Sequence, residues 1–421
     1  MIAMLRNRNF ALVWLAGLIS FAGDWALLIA LPVFIYDLTG STLATGGTFI
    51  ALSLPRLLLG SLAGVFVDRW DRRTTMIAAN LLAAAALLLL LPVRDPSDLW
   101  LVYVSAFLHT TCTLFFMPAE SALVPLLVGE KQLLQANALI SLNWEIMRLV
   151  APPLGGLAMA WLGFGSVVAI DIVSFLAAAG LVMLVTQRRA PAEPMAGRRI
   201  WRQAGHDLAE GLALVARSGP VRAIFAVMAV AMVAEGLVNV LGFPWLKQVL
   251  NGGAIERGWL ASAQAVGGLL GGLLISRMAR LVRTSYLIGA SGMMLGMLVL
   301  AYVNVTALPI APALWLPAVL LLKALQGLPI MGMFVSIDTL LQQSIADRYR
   351  GRVFGAYGAA LGLATLVGQA LASAFGDILG IVPLLDLVGL LYLAGGLLAL
   401  VLLAGQQLAA APQADPYAYE S

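Results

Sequence analysis

Long apolar segments recur along the chain, most of them 20 residues or more, and short polar connectors separate them. A helix of that length matches the hydrocarbon thickness of a bilayer. The pattern predicts an all-α membrane protein with twelve transmembrane helices, at 11–36, 44–67, 74–93, 99–124, 138–162, 165–186, 221–247, 257–279, 284–303, 313–340, 353–374 and 381–404. The first segment is too long for a signal peptide and lacks a small-residue cleavage pattern, so we expect it to be retained.

The longest connector divides these segments into two sets of six. We therefore expect an N-terminal six-helix bundle at 1–186, a cytoplasmic linker at 187–220, a C-terminal six-helix bundle at 221–405 and a cytoplasmic tail at 406–421. Apolar residues recur at helical spacing from Ile200 to Val215, with charged residues between them, which predicts an amphipathic helix in the linker. It lies on the inner leaflet or forms a solvated linker helix, and the sequence leaves both open.

The composition supports a membrane protein, since 61% of the 421 residues are hydrophobic and 11% are charged. A soluble domain carries about 25% charged residues. The net charge of +4 does not indicate nucleic acid, because the basic residues lie in short connectors. The single cysteine, Cys112, cannot form an intrachain disulfide and fits the role of a small buried side chain.

The distribution of Lys and Arg predicts the orientation. Nineteen of the 25 lie in segments on the same side as the two termini. Three lie on the opposite side, namely Arg94, Lys247 and Arg257. Because basic connectors stay in the cytoplasm, both termini are predicted to be cytoplasmic in a multi-pass protein of the inner membrane.

The two halves resemble each other at a spacing near 210 residues. Four matches occur in the same order in both halves: Asp24 with Glu235, the run from Gly64 with the run from Gly272, Phe116…Glu120 with Phe334…Asp338, and Asp171 with Asp386. Such a repeat indicates a duplicated six-helix unit. Repeated halves with a substrate site between them near the midplane are a transporter architecture.

Four segments resemble the major facilitator superfamily, and within it the drug–proton antiporters that include macrolide and enterobactin exporters. They run through Gly23-Asp24…Pro32…Gly40-Ser41, Gly64…Asp68-Arg69…Arg73, Phe116-Met117-Pro118…Ala136-Asn137 and Gln342…Arg350-Gly351-Arg352-Val353-Phe354-Gly355. The resemblance implies two pseudo-symmetric six-helix bundles, alternating access and proton-coupled efflux of amphipathic small molecules such as macrolides. It implies no cofactor, and monomers are the expected state.

The second segment resembles the superfamily's signature loop between helices 2 and 3, although Asp71 replaces a common glycine. Basic residues alone would hold this loop in the cytoplasm, but they do not explain the acidic ones among them. The resemblance implies a cytoplasmic gate, in which Asp68 would face an arginine or a helix N-terminus of the opposite half. The gate residues are Asp68, Arg69, Asp71, Arg72 and Arg73.

The fifth segment contains two consecutive prolines, Pro152 and Pro153, followed by Gly155 and Gly156. The prolines deprive two carbonyls of their helical partners, which predicts a kink. The glycines permit close packing. This pattern resembles the helix-5 motif of exporters, and it fits a purely structural kink equally well.

Charged residues within the predicted helices are candidates for transport, because burying a charge in lipid is costly. The midmembrane set is Asp24, Arg56, Glu145, Arg148, Glu235 and Lys323. Glu145 and Arg148 are three residues apart and could pair with each other. A lone His109 is more often a packing residue, so we give it little weight.

Asp24 and Glu235 lie at equivalent places in the first helix of each half. In the fold implied by the resemblance these helices line the central cavity, so the two carboxylates should face each other across it. An apolar environment disfavours the charged form of a carboxyl group, which lets it bind and release a proton. We predict proton coupling at Asp24 or Glu235, with Glu145 as the next candidate. A polar contact in helix packing would also explain them.

Other functions fit the sequence less well. A membrane-embedded enzyme would need a metal or nucleophile motif, and neither HExxH nor GxSxG occurs. A nucleotide-driven pump would need a phosphate-binding loop ending in Gly-Lys, and none of the three lysines follows glycine. The duplicated halves argue against a receptor or channel. The remaining alternative is export of a specific metabolite such as a siderophore or a lipid.

Overall fold

The structure is a computed structural model that describes residues 2–67, 69–186, 197–278 and 282–404. Within these ranges nearly all residues are helical. The helices of 16 residues or more are α1 Arg8–Thr39, α2 Thr42–Val67, α3 Arg72–Leu87, α4 Leu99–Val128, α5 Leu133–Leu162, α6 Phe164–Met183, α7 Gly197–Arg217, α8 Gly219–Leu250, α9 Ala254–Met278, α10 Thr284–Val303, α11 Trp315–Ser344, α12 Arg350–Leu379 and α13 Ile381–Ala404.

All twelve predicted helices are present, with boundaries that differ by at most six residues. In the described part of the chain, eleven helices are long and apolar enough to cross a membrane. The exception is α5, which carries Glu145, Arg148 and two prolines within its 30 residues. It packs against α1 and α6 of its own half and against α9 of the other half. Three helices therefore surround α5, and its polar groups are not left to lipid.

The two halves repeat one packing pattern. In the first half α1 packs against α5 and α6, α2 against α4, and α3 against α4 and α6. In the second half, correspondingly, α8 packs against α12 and α13, α9 against α11, and α10 against α11 and α13. The halves meet along α5 with α9 and along α2 with α12, two pairs that the repeat also relates. The sequence repeat thus corresponds to two pseudo-symmetric bundles.

The predicted linker helix is present as α7. It packs against α12, α8 and α2, and Val215 is buried in this contact. The carboxylate of Glu210 accepts a hydrogen bond from Arg352 of α12 at 2.6 Å. Leu208 and Leu212 remain exposed. Contact between α7 and the inner leaflet stays a prediction, and residues 187–196 and 405–421 lie outside the described ranges.

We call the end where α1 begins and α13 ends the termini side, and the end where α1 gives way to α2 the far side.

Candidate functional site

A cavity of about 410 Å³ lies between the two halves. Most of its wall is apolar and comes from α8, α9 and α11, with α1 and α5 completing it from the other half. The lining residues are Trp25, Leu28, Arg148, Met232, Glu235, Asn239, Ala261, Gln264, Ala265, Gly268, Leu295, Gly327, Ile330, Met331, Met333, Phe334 and Tyr392. An apolar cavity with a few polar groups is the usual form of a small-molecule site.

Glu235 is the acidic residue in this wall. Its carboxylate accepts a hydrogen bond from the Tyr392 hydroxyl at 3.2 Å. Lys323 of α11 lies close enough for its charge to attract that of Glu235. The Lys323 ammonium itself donates to Gln326 at 3.0 Å and lies 4.1 Å from the centre of the Tyr302 ring. Glu235 therefore has a cation nearby but no direct ion pair of salt-bridge length, which leaves its carboxylate available to a ligand.

Arg148 brings the positive charge to the cavity wall. Its guanidinium donates to Glu145 at 3.1 Å, so the predicted pairing within α5 is confirmed. The same guanidinium reaches towards α9, where a Cβ added to Gly268 would lie 3.1 Å from Nη2. Glu145 thus acts on the cavity through Arg148.

The prolines of α5 create an interhelical contact. Pro153 leaves the carbonyl of Leu149 without its helical donor, and the hydroxyl of Ser262 in α9 donates to that oxygen at 2.5 Å. At the next turn, a Cβ on Gly156 would lie 2.3 Å from the Ala254 carbonyl. The prolines and Gly156 therefore lie in the contact between the halves, whereas Gly155 packs against Ala26 of α1 in its own half. The helix α5 continues as one helix through the motif.

Asp24 does not join this cavity. Asp24 and Glu235 are each the seventeenth residue of a 32-residue helix, so the predicted equivalence holds. However, Asp24 lies against His109 of α4, with Oδ1 and Nε2 3.2 Å apart, and near Asp171 of α6. The expectation that the two carboxylates face each other across one cavity is corrected, because polar side chains of α4 and α6 hold Asp24 within its own half.

Arg56 on α2 and Lys323 on α11, the two other basic residues predicted for the cavity, do not line it. Arg56 is exposed on α2 and is not among the residues that line the described cavity. Lys323 acts on the cavity through Glu235 rather than by lining it.

The signature loop is described except for Asp68, which lies outside the described residues. Asp71 caps the N-terminus of α3, where its carboxylate accepts from the Thr74 backbone N–H at 2.8 Å. Arg73 donates to the carbonyls of Val182 and Met183 at the end of α6. These contacts stay within the first half, so they explain part of the loop by local structure.

The far side holds polar contacts that join the halves. The Asp377 carboxylate of α12 accepts from the Thr42 backbone N–H at 3.0 Å and from the Ser41 hydroxyl at 2.9 Å. It thereby caps the N-terminus of α2 from the opposite half. Lys247 pairs with Asp37 at 3.0 Å. On the termini side, by contrast, a Cβ on Gly60 or Gly64 of α2 would meet no atom within 4 Å.

Sequence reasoning missed Asp377, Ser262 and the grouping of His109 with Asp24. Asp377 stands near the end of its helix, where a carboxylate is unremarkable, and its partner lies 335 residues away. His109 was recognised as a polar residue within the membrane. Its partners come from α1 and α6, and sequence spacing does not report on pairs from different helices.

Comparison with known proteins gives the family. A family model described as transmembrane secretion effector matches residues 1–416. The chain is 27% identical over 380 residues to macrolide efflux protein A of Streptococcus pyogenes, covering 89% of this chain and 90% of that protein. It is also 27% identical over 382 residues to the multidrug efflux pump Tap of Mycolicibacterium fortuitum, covering 88% and 90%.

Solved structures share the fold. A bacterial homologue of the iron transporter ferroportin, in an inward-facing state, superposes with a TM-score of 0.72 at 17% identity, covering 94% of this chain and 98% of that one. The nucleoside transporter NupG superposes with a TM-score of 0.73 at 13% identity, covering 94% and 99%. The family and these relatives are transporters rather than enzymes. The chain is thus a multi-pass membrane transporter of small molecules that belongs to the transmembrane secretion effector family of the major facilitator superfamily.

Proposed function

We propose that this protein exports amphipathic small molecules, including macrolide-like compounds, in exchange for protons. The observation that carries the proposal is an apolar cavity between the two halves in which one acidic residue, Glu235, lies beside aromatic and methionine side chains. The two efflux relatives, one named for macrolide efflux and the other for multidrug efflux, support the same substrate class.

The cavity wall suits substrates that vary in shape. Methionine side chains are flexible and polarizable, and three of them line this site: Met232, Met331 and Met333. Trp25 and Phe334 add flat apolar surfaces from opposite halves. A carboxylate on one wall favours cationic or hydrogen-bonding substrates over anionic ones, since it attracts positive charge.

Glu235 is the group that we assign to proton coupling. It lines the cavity, accepts from Tyr392 and lies near Lys323 without a direct ion pair. A proton and a cationic substrate therefore compete for one carboxylate, so that one leaves as the other binds. Glu145 is the next candidate, because it neutralises Arg148 in the same wall.

Alternating access would break the far-side contacts and form others on the termini side. With both termini in the cytoplasm, closure by Asp377 and the Asp37–Lys247 pair makes this an inward-facing arrangement. Asp68 and the basic residues of its loop would then close the cytoplasmic side in the outward-facing state. We place the protein in the inner membrane as a monomer, with a lipid bilayer around its apolar helices.

The proposal is tested with Glu235→Gln in proteoliposomes or in a host that lacks its own efflux pumps. The substitution keeps the size of the side chain and removes its charge. Accumulation of a macrolide against a gradient should fall to background in the variant, while downhill exchange of the same compound continues. Asp386→Asn is the matched control, because Asp386 accepts from Asn304 away from the cavity.

Two results would overturn the proposal. Full uphill transport by Glu235→Gln, with the usual sensitivity to a proton uncoupler, would place proton coupling elsewhere. A panel in which a siderophore or a lipid is exported and macrolides and other amphipathic cations are not would replace the substrate class.

A further inference from the structure

We propose that Asp24, His109 and Asp171 bind one divalent transition-metal ion, which resides in the N-terminal half and braces α1 against α4 and α6. Each residue offers a ligand atom, and these atoms all lie within 4.8 Å of one another. The site is separate from the cavity assigned to the transported substrate, and it does not depend on the proposed efflux function.

Two of the ligand groups are buried, and one nitrogen or oxygen atom of each lacks a hydrogen bond. Asp171 is 0% exposed, and its Oδ2 has no hydrogen-bond partner, whereas its Oδ1 accepts from Ser174 at 3.1 Å. The Nε2 of His109 is 3.2 Å from Asp24 but does not meet the geometry of a hydrogen bond to it. Buried polar atoms are nearly always paired, so these atoms indicate a missing common partner.

The spacing of the ligand atoms is compatible with a bound metal. A tetrahedral ion bound at about 2.0–2.2 Å to nitrogen and oxygen holds its ligands about 3.3–3.5 Å apart. The observed 3.2 Å between Nε2 and Oδ1 is close to that value. Ligand atoms up to 4.8 Å apart would have to approach by about 1.3–1.5 Å at most.

Charge gives an independent argument. Two carboxylates in an apolar half-bundle repel each other. A dication balances both carboxylates, so the assembled site is neutral. The apolar core of this half is divided at this level into a cluster with Phe10 and Phe116 and another with Leu27 and Phe175, which leaves room for a polar layer between them.

The chain makes space for the carboxylate of Asp171 against α1. A Cβ on Gly23 would lie 2.1 Å from Asp171 Oδ1, so a larger residue at this position would push the acid away. The side chain of Asp24 is 30% exposed, whereas that of His109 is 10% exposed. The ion would therefore enter past Asp24 and keep a water as its fourth ligand.

The donor set selects the metal. One imidazole with two carboxylates suits Zn²⁺ or Mn²⁺, whereas Mg²⁺ and Ca²⁺ prefer oxygen ligands alone and more of them. All three ligands belong to one half, so movement of the halves relative to each other leaves the coordination intact. Trp25 follows Asp24 in α1 and lines the cavity. An ion bound to Asp24 therefore holds this part of α1, and with it the Trp25 side of the cavity wall, in position.

The chain offers a matched control, since it has two histidines. The full-length protein is purified in detergent, stripped with a chelator and titrated calorimetrically with Zn²⁺ alone and with Mn²⁺ alone. We expect one equivalent of one of these ions to bind. His109→Gln and Asp171→Asn should weaken that binding by more than the 10- to 100-fold that follows loss of an outer partner. His206→Gln, on the exposed face of α7, and Asp386→Asn should leave it unchanged.

Thermal unfolding distinguishes loss of the site from loss of the fold. The metal should raise the melting temperature of the wild type and of His206→Gln, but not of His109→Gln. The proposal is overturned if folded wild-type protein binds neither ion, if the cluster takes up protons only, or if His109→Gln binds as the wild type does.

Discussion

Replacing Asp377 with alanine should weaken the closure of the far side. Its carboxylate is the acceptor for the Thr42 backbone N–H at 3.0 Å and for the Ser41 hydroxyl at 2.9 Å, and it belongs to the opposite half. If the two halves separate at this end during transport, these hydrogen bonds exist in one state and are lost in the other. The substitution then destabilises the closed state alone.

The size of the effect follows from the geometry. Removing an N-cap carboxylate costs about 0.5–2 kcal/mol, and a hydrogen bond to a charged group contributes about 1.5–3 kcal/mol when shielded from water. Asp377 is exposed at the surface, so the range for an N-cap applies rather than that for a shielded hydrogen bond, and we take about 1–1.4 kcal/mol within it. Since 1.4 kcal/mol corresponds to a factor of ten, the ratio of open to closed far side should rise about five- to tenfold.

Spin labels on Leu43 and Ile378 report this ratio, because both side chains are highly exposed near the contact. They are introduced in a Cys112→Ser background, and the distance distribution is measured in nanodiscs by pulsed electron resonance. Asp377→Ala should increase the population at long distance.

The control for this experiment is Asp98→Ala. Asp98 also accepts from backbone N–H groups on the far side, at 3.1 Å from Arg94 and 3.2 Å from Asp95, but all of these residues are in the first half. An unchanged distribution in Asp377→Ala, or an equal shift in Asp98→Ala, would refute the reasoning.

Three further outcomes are expected. A reporter fused after Gly197 should read cytoplasmic and one after Pro96 periplasmic, and the reverse result would exclude the orientation inferred from the basic connectors. Gly258→Leu should expose the far side to thiol reagents and abolish transport, because a Cβ at this position would lie 2.5 Å from the Pro152 carbonyl. Gly180→Leu should have neither effect, because a Cβ there would meet no atom within 4 Å. Asp71→Ala should lower the stability of the protein in detergent micelles by about 1 kcal/mol, because α3 loses its N-cap. Thermal unfolding measures this loss. A variant of unchanged stability with impaired gating would contradict the cap and support a role of Asp71 in the cytoplasmic gate.

The hydrophobic pattern by itself determined the helices of this protein, because a segment that must cross lipid satisfies its backbone hydrogen bonds internally. The repeat also follows from sequence: Asp24 and Glu235 stand at the same place in helices of equal length. The pair Glu145–Arg148 was also predictable, because residues three apart on one helix are neighbours.

Only the tertiary structure decided which polar groups meet. Asp24 and Glu235 look alike in sequence, yet one lies with a histidine and an aspartate from α4 and α6, and the other lines the cavity beside Tyr392. Likewise, the prolines of α5 predicted a carbonyl without a donor, but not that Ser262 of the other half would supply one. Helix periodicity fixes which face of a helix a residue occupies, whereas the partner on that face depends on how distant helices pack together.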